Sequence, residues 1–386
     1  MFDKKTDLFQ NSKSLFLGHC SISPLFQGAA DAIIDYHREM AAGGITALPQ
    51  FFETMDRFHK NGARFLHTEK KNISYVHNTA EAMGLIANGY PFEAGEEVIS
   101  YIHEYPSNHY PWRLQENRGV RLKLLPDRAA PAMPLRPNQP NGWSMEDLES
   151  LVTDRTRLLA VSHVQFATGY AADLYELGQF CKERNIDLVV DCAQSLGCLP
   201  VYPEKYHISA LAASSWKWLM GPKGSGFFYT SEKFRKKIQT TMTGAAMMKQ
   251  GLDYLNHDWA PLDDGQRFEY STLPWDHISG LNAIFEQIFI DQDMVELRDE
   301  VFRLQDILAG ELDPDLVEIN RFENNHRSGI LTAVVKTELA KLSRDLLQQQ
   351  LVVTSQGGYL RLAPHFYMSD EQMVQAAGLI NQAVRS

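Results

Sequence analysis

The chain has 386 residues, 44% of them apolar and 22% charged, more than one hydrophobic core usually organises, and this predicts two domains in one soluble chain. Lysine and arginine number 37 against 48 acidic residues, a net charge of −11. That balance excludes a broad nucleic-acid or anionic-membrane surface and requires any anion site to be local.

The opening segment, MFDKKTDLFQNSKSLFLGHC, has no apolar run of signal-peptide length, and no later stretch approaches a membrane span. The four cysteines, Cys20, Cys181, Cys192 and Cys198, form no C-x-x-C pair, and the histidines are scattered. We therefore expect no metal and no disulfide framework, in keeping with a reducing, cytoplasmic setting.

From about residue 72 to 230, short apolar runs alternate with amphipathic stretches. They are ISYVH, a helix from Thr79, EEVISYIH, VRLKLLP, a helix near Met145, RLLAVSHV, a helix near Leu174, IDLVVD and GSGFFYT. This alternation predicts an α/β fold of parallel strands joined by crossover helices. The proline-rich stretch RAAPAMPLRPNQP, residues 128–140, reads as a surface excursion. After about residue 280 the pattern becomes a long helix from Phe285 to Leu312, a strand (GILTAVV), a helix (ELAKLSRDLLQQQ), a strand (YLRLAP) and a closing helix. The expected division is a large domain over 21–280 and a smaller α/β domain made of 1–20 and 281–386.

In IDLVVDCAQSLGCLP a buried run of strand formers ends in Asp191, which places its carboxylate at the carboxyl edge of a parallel strand, where α/β sheets bind ligands. By itself the aspartate would read as a turn cap. Twenty-six residues on, in SSWKWLMGPKGSGFFYT, Lys217 stands between Trp216 and Trp218. Aromatic neighbours desolvate an amine and favour its neutral, nucleophilic form, although most lysines are solvated. GPKGSG is not a phosphate loop of the G-x-x-x-x-G-K-[ST] kind, so a nucleoside triphosphate site is excluded.

Asp-x-Ala-Gln-x-x-Gly-x-x-Pro followed by Ser-x-x-Lys-x-x-x-Gly-Pro-Lys-Gly-x-Gly resembles the class V aminotransferase family, which depends on pyridoxal 5′-phosphate (PLP). The resemblance covers essentially the whole chain. It implies the aspartate-aminotransferase-like fold, a large domain with a mostly parallel seven-stranded sheet plus a smaller domain. It also implies Lys217 as the Schiff-base lysine and Asp191 as partner of the pyridine nitrogen, keeping the ring an electron sink. Gln194 would meet the ring hydroxyl, and Ser214 the phosphate, with Ser215 the other candidate. Trp216 stands where many members carry histidine; its indole N–H either donates to phosphate or the ring packs.

Further along the same pattern, Asn78, Thr79 and Ala80 open a helix whose free N–H groups suit a phosphate. Tyr105, in EYPSNHY, occupies the place of the ring that stacks on PLP, more as in kynureninase-like and isopenicillin N epimerase-like members than in desulfurases. Thr272, in RFEYSTLPW, would reach the phosphate of a neighbouring subunit, which implies a homodimer with its active site at the subunit interface. Arg361 would hold the substrate's α-carboxylate.

The resemblance leaves the reaction open. Desulfuration needs a nucleophilic cysteine near the arginine strand, and no cysteine follows Cys198. The leading expectation is an amino-acid aminotransferase; the alternatives are a kynureninase-like or other β-lyase, an epimerase, or a non-catalytic PLP-binding module. Cys20, Cys192 and Cys198 read as packing residues.

Overall fold

The structure is a computed structural model, and it describes residues 4–9, 13–128 and 139–385. Residues 129–138 of the proline-rich stretch lie outside the described residues. Seven strands form the main sheet: β1 (Ile73–Val76), β2 (Glu97–Tyr101), β3 (Arg121–Leu125), β4 (Thr156–Ser162), β5 (Asp187–Asp191), β6 (Ala210–Ser214) and β7 (Gly226–Thr230). Their spatial order is β1-β7-β6-β5-β4-β2-β3. All neighbours are parallel except β7, which runs antiparallel to both β1 and β6. The mostly parallel seven-stranded sheet of the aspartate-aminotransferase-like fold is thus present.

β5, β6 and β7 are buried at every position, as strands covered by helices on both faces must be. One consequence bears on function. The strand order reverses between β4 and β2, with β4, β5 and β6 following one another to one side and β2 and β3 to the other, so the carboxyl ends of these strands open a crevice. Helices α1 (Gln27–Gly43), α2 (Leu48–Leu66), α3 (Thr79–Gly89), α4 (Leu174–Glu183) and α5 (Trp275–Ile284) belong to the same body.

The helix read as continuous from Phe285 to Leu312 is divided. A π-helical turn, Phe285–Phe289, follows α5, and a separate α6 spans Met294–Glu311. Asp293 explains the restart, because its carboxylate accepts the Val295 N–H at 2.7 Å as an N-cap. A second sheet is antiparallel throughout, in the order β10-β11-β9-β8, where β8 is Val317–Asn320, β9 Leu331–Val335, β10 Thr354–Gln356 and β11 Tyr359–Leu362. Helices α7 (Leu339–Gln348) and α8 (Asp370–Arg385) pack with α6 around it through Leu304, Leu308, Leu342, Leu346 and Leu360. The segment before α1 joins this unit, since Leu15–Phe16 pairs parallel with Leu351–Val352 and Gly18 bridges to Ala363.

Candidate functional site

A cavity of about 290 Å³ opens at the carboxyl ends of β4, β5 and β6. Nine of the eleven predicted site residues line it: Asn78, Thr79, Ala80, Tyr105, Asp191, Gln194, Ser214, Trp216 and Lys217. Ser107, Ser162, Val164, Phe166 and Ala193 complete the wall, and sequence reasoning had singled out none of these.

Asp191 ends β5 with its carboxylate buried; the hydrogen bond it accepts there comes from the Ala193 N–H at 2.9 Å. Burial raises its pKa, opposed by the nearby Lys217 charge and that N–H. Lys217 shifts the other way: burial lowers its pKa, with Asp191 opposing. The protein thus provides a carboxylate with spare hydrogen-bonding capacity and an amine biased toward the neutral form, facing one cavity. The aromatic ring within reach of the amine is Tyr105, whose centroid lies 5.5 Å from Nζ. This corrects the expectation of a lysine held between two indoles. Trp218 instead turns into the core, fully buried, and donates its Nε1–H to Gln194 Oε1 at 3.2 Å.

Gln194 is also fixed at its other end, donating from Nε2 to the Cys20 carbonyl at 2.8 Å, which leaves one N–H for a ligand. Gly197 is required behind it. Its φ is +95°, and a Cβ there would lie 2.5 Å from the Trp218 carbonyl oxygen.

Helix α3 begins on the cavity wall, which Asn78, Thr79 and Ala80 line. Asn78 caps it by accepting the Glu81 N–H at 2.9 Å, while Glu81 accepts the His77 N–H at 2.6 Å. The first-turn N–H groups have no acceptor within the helix and carry its positive end toward the cavity. Ser214 Oγ lies 3.0 Å from Thr79 Oγ1 and accepts the Thr79 N–H at 3.2 Å. Ser215 faces elsewhere: its hydroxyl donates to the Pro222 carbonyl at 2.9 Å and sits 2.5 Å from Ser225 Oγ. Of the two serines only Ser214 is part of the cavity.

Two predicted residues lie off the wall. Arg361, on β11, is buried and donates from Nη1 to the Phe166 carbonyl at 2.7 Å, while its Nε has no hydrogen-bond partner. Its charge is near enough to depress the Lys217 pKa. Thr272 is exposed on the segment before α5 and does not enter its own chain's cavity. That segment is anchored by Glu269, which accepts the Tyr75 N–H at 2.7 Å and pairs with buried His59 at 2.8 Å.

All four cysteines are buried, and none lines the cavity. Cys20 lies 3.4 Å, sulfur to oxygen, from Thr354 Oγ1. Among the described residues no group of three or more metal-ligating side chains occurs, and no helix is long and apolar enough to cross a membrane.

PLP is tested against this cavity by what its walls leave unsatisfied: a buried carboxylate, an amine and a helix N-terminus at separate points. An aromatic pyridinium needs a counter-charge at its nitrogen, an amine at its aldehyde and N–H donors at its phosphate, and the residues present fit that distribution.

The class V aminotransferase profile matches residues 17–378. The chain belongs to this family of PLP-dependent enzymes. A probable cysteine desulfurase of Methanothermobacter thermautotrophicus is 26% identical over 286 residues, covering 73% of this chain and 68% of that protein. Two further desulfurase relatives are matched over 61% and 58% of their own lengths, less than two thirds. Among solved structures, the cysteine desulfurase of Thermococcus onnurineus superposes with a TM-score of 0.86 at 21% identity, over 100% of this chain and 99% of that one. The cystine C–S lyase C-DES, in complex with its product cysteine persulfide, gives 0.86 at 18% identity over 97% and 99%. At such identities the structures speak for the fold. The names run against the sequence-based preference for kynureninase-like or epimerase-like members and away from desulfurases.

Proposed function

We propose that this protein is a PLP enzyme that cleaves a carbon–sulfur bond of a sulfur-containing amino acid by elimination, without passing sulfur to a cysteine of its own. The observation that carries this is a cavity that presents Lys217, Asp191 and Tyr105 together and no thiol. The desulfurase and C–S lyase names of its relatives favour sulfur chemistry.

When bound, PLP supplies an aldehyde that captures the substrate amine and a ring that accepts electrons from the α-carbon. Asp191 would hold the ring nitrogen protonated, and Tyr105 would lie beside the ring. The first turn of α3 and Ser214 would receive the phosphate, Gln194 would offer its remaining N–H to the ring oxygen, and Trp216 closes the wall. Thr272, exposed on its own chain, would reach the phosphate of a second copy in a homodimer. Arg361 binds the substrate carboxylate in a two-pronged contact for which its unpartnered Nε is available. Lys217, biased toward the neutral amine, takes the α-proton.

Transamination, the leading expectation from the sequence, is the second reading. It is favoured by Lys217 being the one amine on the cavity wall, since the same base can return the proton one atom away.

The test uses purified holoprotein, which should be yellow with a visible band that borohydride bleaches and Lys217→Ala removes. Incubated with cystine or cysteine and no keto acid, it should release pyruvate over many turnovers, and Cys20→Ala should do the same. A single stoichiometric conversion to the pyridoxamine form supports transamination instead. Colourless protein that PLP does not reconstitute overturns both readings.

A further inference from the structure

Behind the cavity wall lies a buried carboxylate to which the proposed mechanism gives no part. Glu104, 8% exposed, immediately precedes Tyr105 and accepts two hydrogen bonds from Ser162: from its N–H at 2.7 Å and from its hydroxyl at 2.5 Å. Ser162 is the last residue of β4, lines the cavity and stands opposite Asp191 in the β4–β5 register. The next residue, His163, donates its N–H to the Asp191 carbonyl at 2.9 Å. Two contacts run alongside. Gln165 donates to the His103 carbonyl at 2.5 Å, and the Tyr105 and Phe166 rings meet edge to face at 5.3 Å.

The segment that carries the Tyr105 ring is therefore fastened to the strand ends that carry Asp191, and Glu104 makes the two strongest fastenings, both to a carboxylate. A ring that stacks and a carboxylate that meets a ring nitrogen must be held at one mutual angle to serve one planar group. Such placement comes from residues behind the wall as much as from those on it.

We propose that Glu104 is a positioning residue for the cofactor: its clamp on Ser162 fixes Tyr105 relative to Asp191, so that one ring meets both. The inference rests on the PLP reading. Glu104 itself touches neither the ring nor the substrate and acts through Ser162 and Tyr105.

The experiment titrates apoprotein with PLP and records visible circular dichroism at saturation, which reports the orientation of the bound ring and not overall stability. Glu104→Gln retains one acceptor for the Ser162 N–H and one donor for its hydroxyl, so PLP affinity should stay within about threefold and the spectrum should persist. Glu104→Ala leaves two buried donors unpaired; its PLP affinity should fall about tenfold or more, with an altered visible signal even when saturated. Glu104→Ala with normal affinity and spectrum overturns the proposal, as does a Glu104→Gln as impaired as the alanine variant. If Glu104→Ala does not fold, Ser162→Ala decides: partial loss of affinity supports the clamp, and unchanged affinity and dichroism refute it. Unmodified protein that binds no PLP would defeat the cofactor reading itself, an outcome distinct from a holoprotein indifferent to Glu104.

Discussion

The Lys217 amine lies 5.5 Å from the centre of the Tyr105 ring, and Asp191 depends on the same lysine charge to offset its burial. A flat cationic ring bonded to Lys217 and paired with Asp191 would have Tyr105 among its aromatic neighbours. Aromatic stacking contributes about 0.5–1.5 kcal/mol beyond area. Tyr105→Phe should therefore bind PLP nearly as well as the unmodified protein, whereas Tyr105→Leu should bind up to about tenfold more weakly. Spectrophotometric titration of apoprotein distinguishes them. Equal affinity for all three would remove Tyr105 from the cofactor site.

The two adjacent serines separate in the same assay. Ser214→Ala removes a hydroxyl beside the first turn of α3, so PLP affinity should fall by roughly 1 kcal/mol with little change in stability. Ser215→Ala leaves the buried Ser225 hydroxyl and Pro222 carbonyl with one partner fewer, so it should cost about 1–3 kcal/mol of folding stability and spare PLP binding. Denaturant titration of both apoproteins measures the second quantity. A Ser215→Ala protein that is stable yet binds PLP poorly would reverse the assignment.

Much of this site was legible because its residues end elements whose patterns are strong. Asp191 closes the apolar run Leu188-Val189-Val190, and the Asn78 cap announces α3. The strand that delivers Ser214 was not recognised. Its sequence, ALAAS, has little strand preference of its own and becomes a strand by insertion between β5 and β7. Helix α1 carries little signal, being mostly exposed with Ala29 its one buried residue, whereas α2 has a clear amphipathic pattern that buries Phe51, Phe58, Phe65 and Leu66 and lies before the alternation that begins near residue 72. Glu104 carries no local signal at all. A glutamate in a turn is ordinarily solvated, and only the folded register of Ser162 beside Asp191 gives it buried donors. The sequence neighbours of Lys217 predict its desolvation, but it sits in the turn after β6, where Trp218 points into the core, and the ring that approaches the amine comes from 112 positions away in the chain, by subtraction of 105 from 217.

The pair between His59 and Glu269 predicts a pH dependence in the segment that carries Thr272. His59 is buried, which by itself lowers its pKa, yet the Glu269 charge and hydrogen bond outweigh that and raise it above the ordinary 6.5. A histidine raised on folding contributes stability that is complete below about 6.5 and fades as pH climbs through the folded value. His59→Gln should therefore be less stable than the unmodified protein by up to about 3 kcal/mol at about pH 6, and the gap should narrow toward about pH 9. Thermal unfolding across that range is the measurement. A gap that stays constant or widens with pH would show that the pair is not an ion pair.

Glu104 predicts an effect of the opposite sign, and with it a way to tell a fold requirement from a functional one. Burial, reinforced by the neighbouring Asp191 charge, lifts its pKa from 4.5 to about 7, while the Ser162 bonds pull the other way. A carboxyl group raised on folding stabilises fully below 4.5 and progressively less as pH rises through about 7. Glu104→Gln escapes that loss. Relative to the unmodified apoprotein it should gain on the order of 2–3 kcal/mol between about pH 5 and pH 8.5, measured by denaturant unfolding at each pH. A flat difference would mean that Glu104 is solvated in the folded protein, contrary to its two Ser162 donors. The predicted rise means that the fold tolerates a destabilising carboxylate beside Asp191 at neutral pH when glutamine would stabilise it. Strain retained at a cavity wall is more readily explained by what the cavity binds than by what the fold needs.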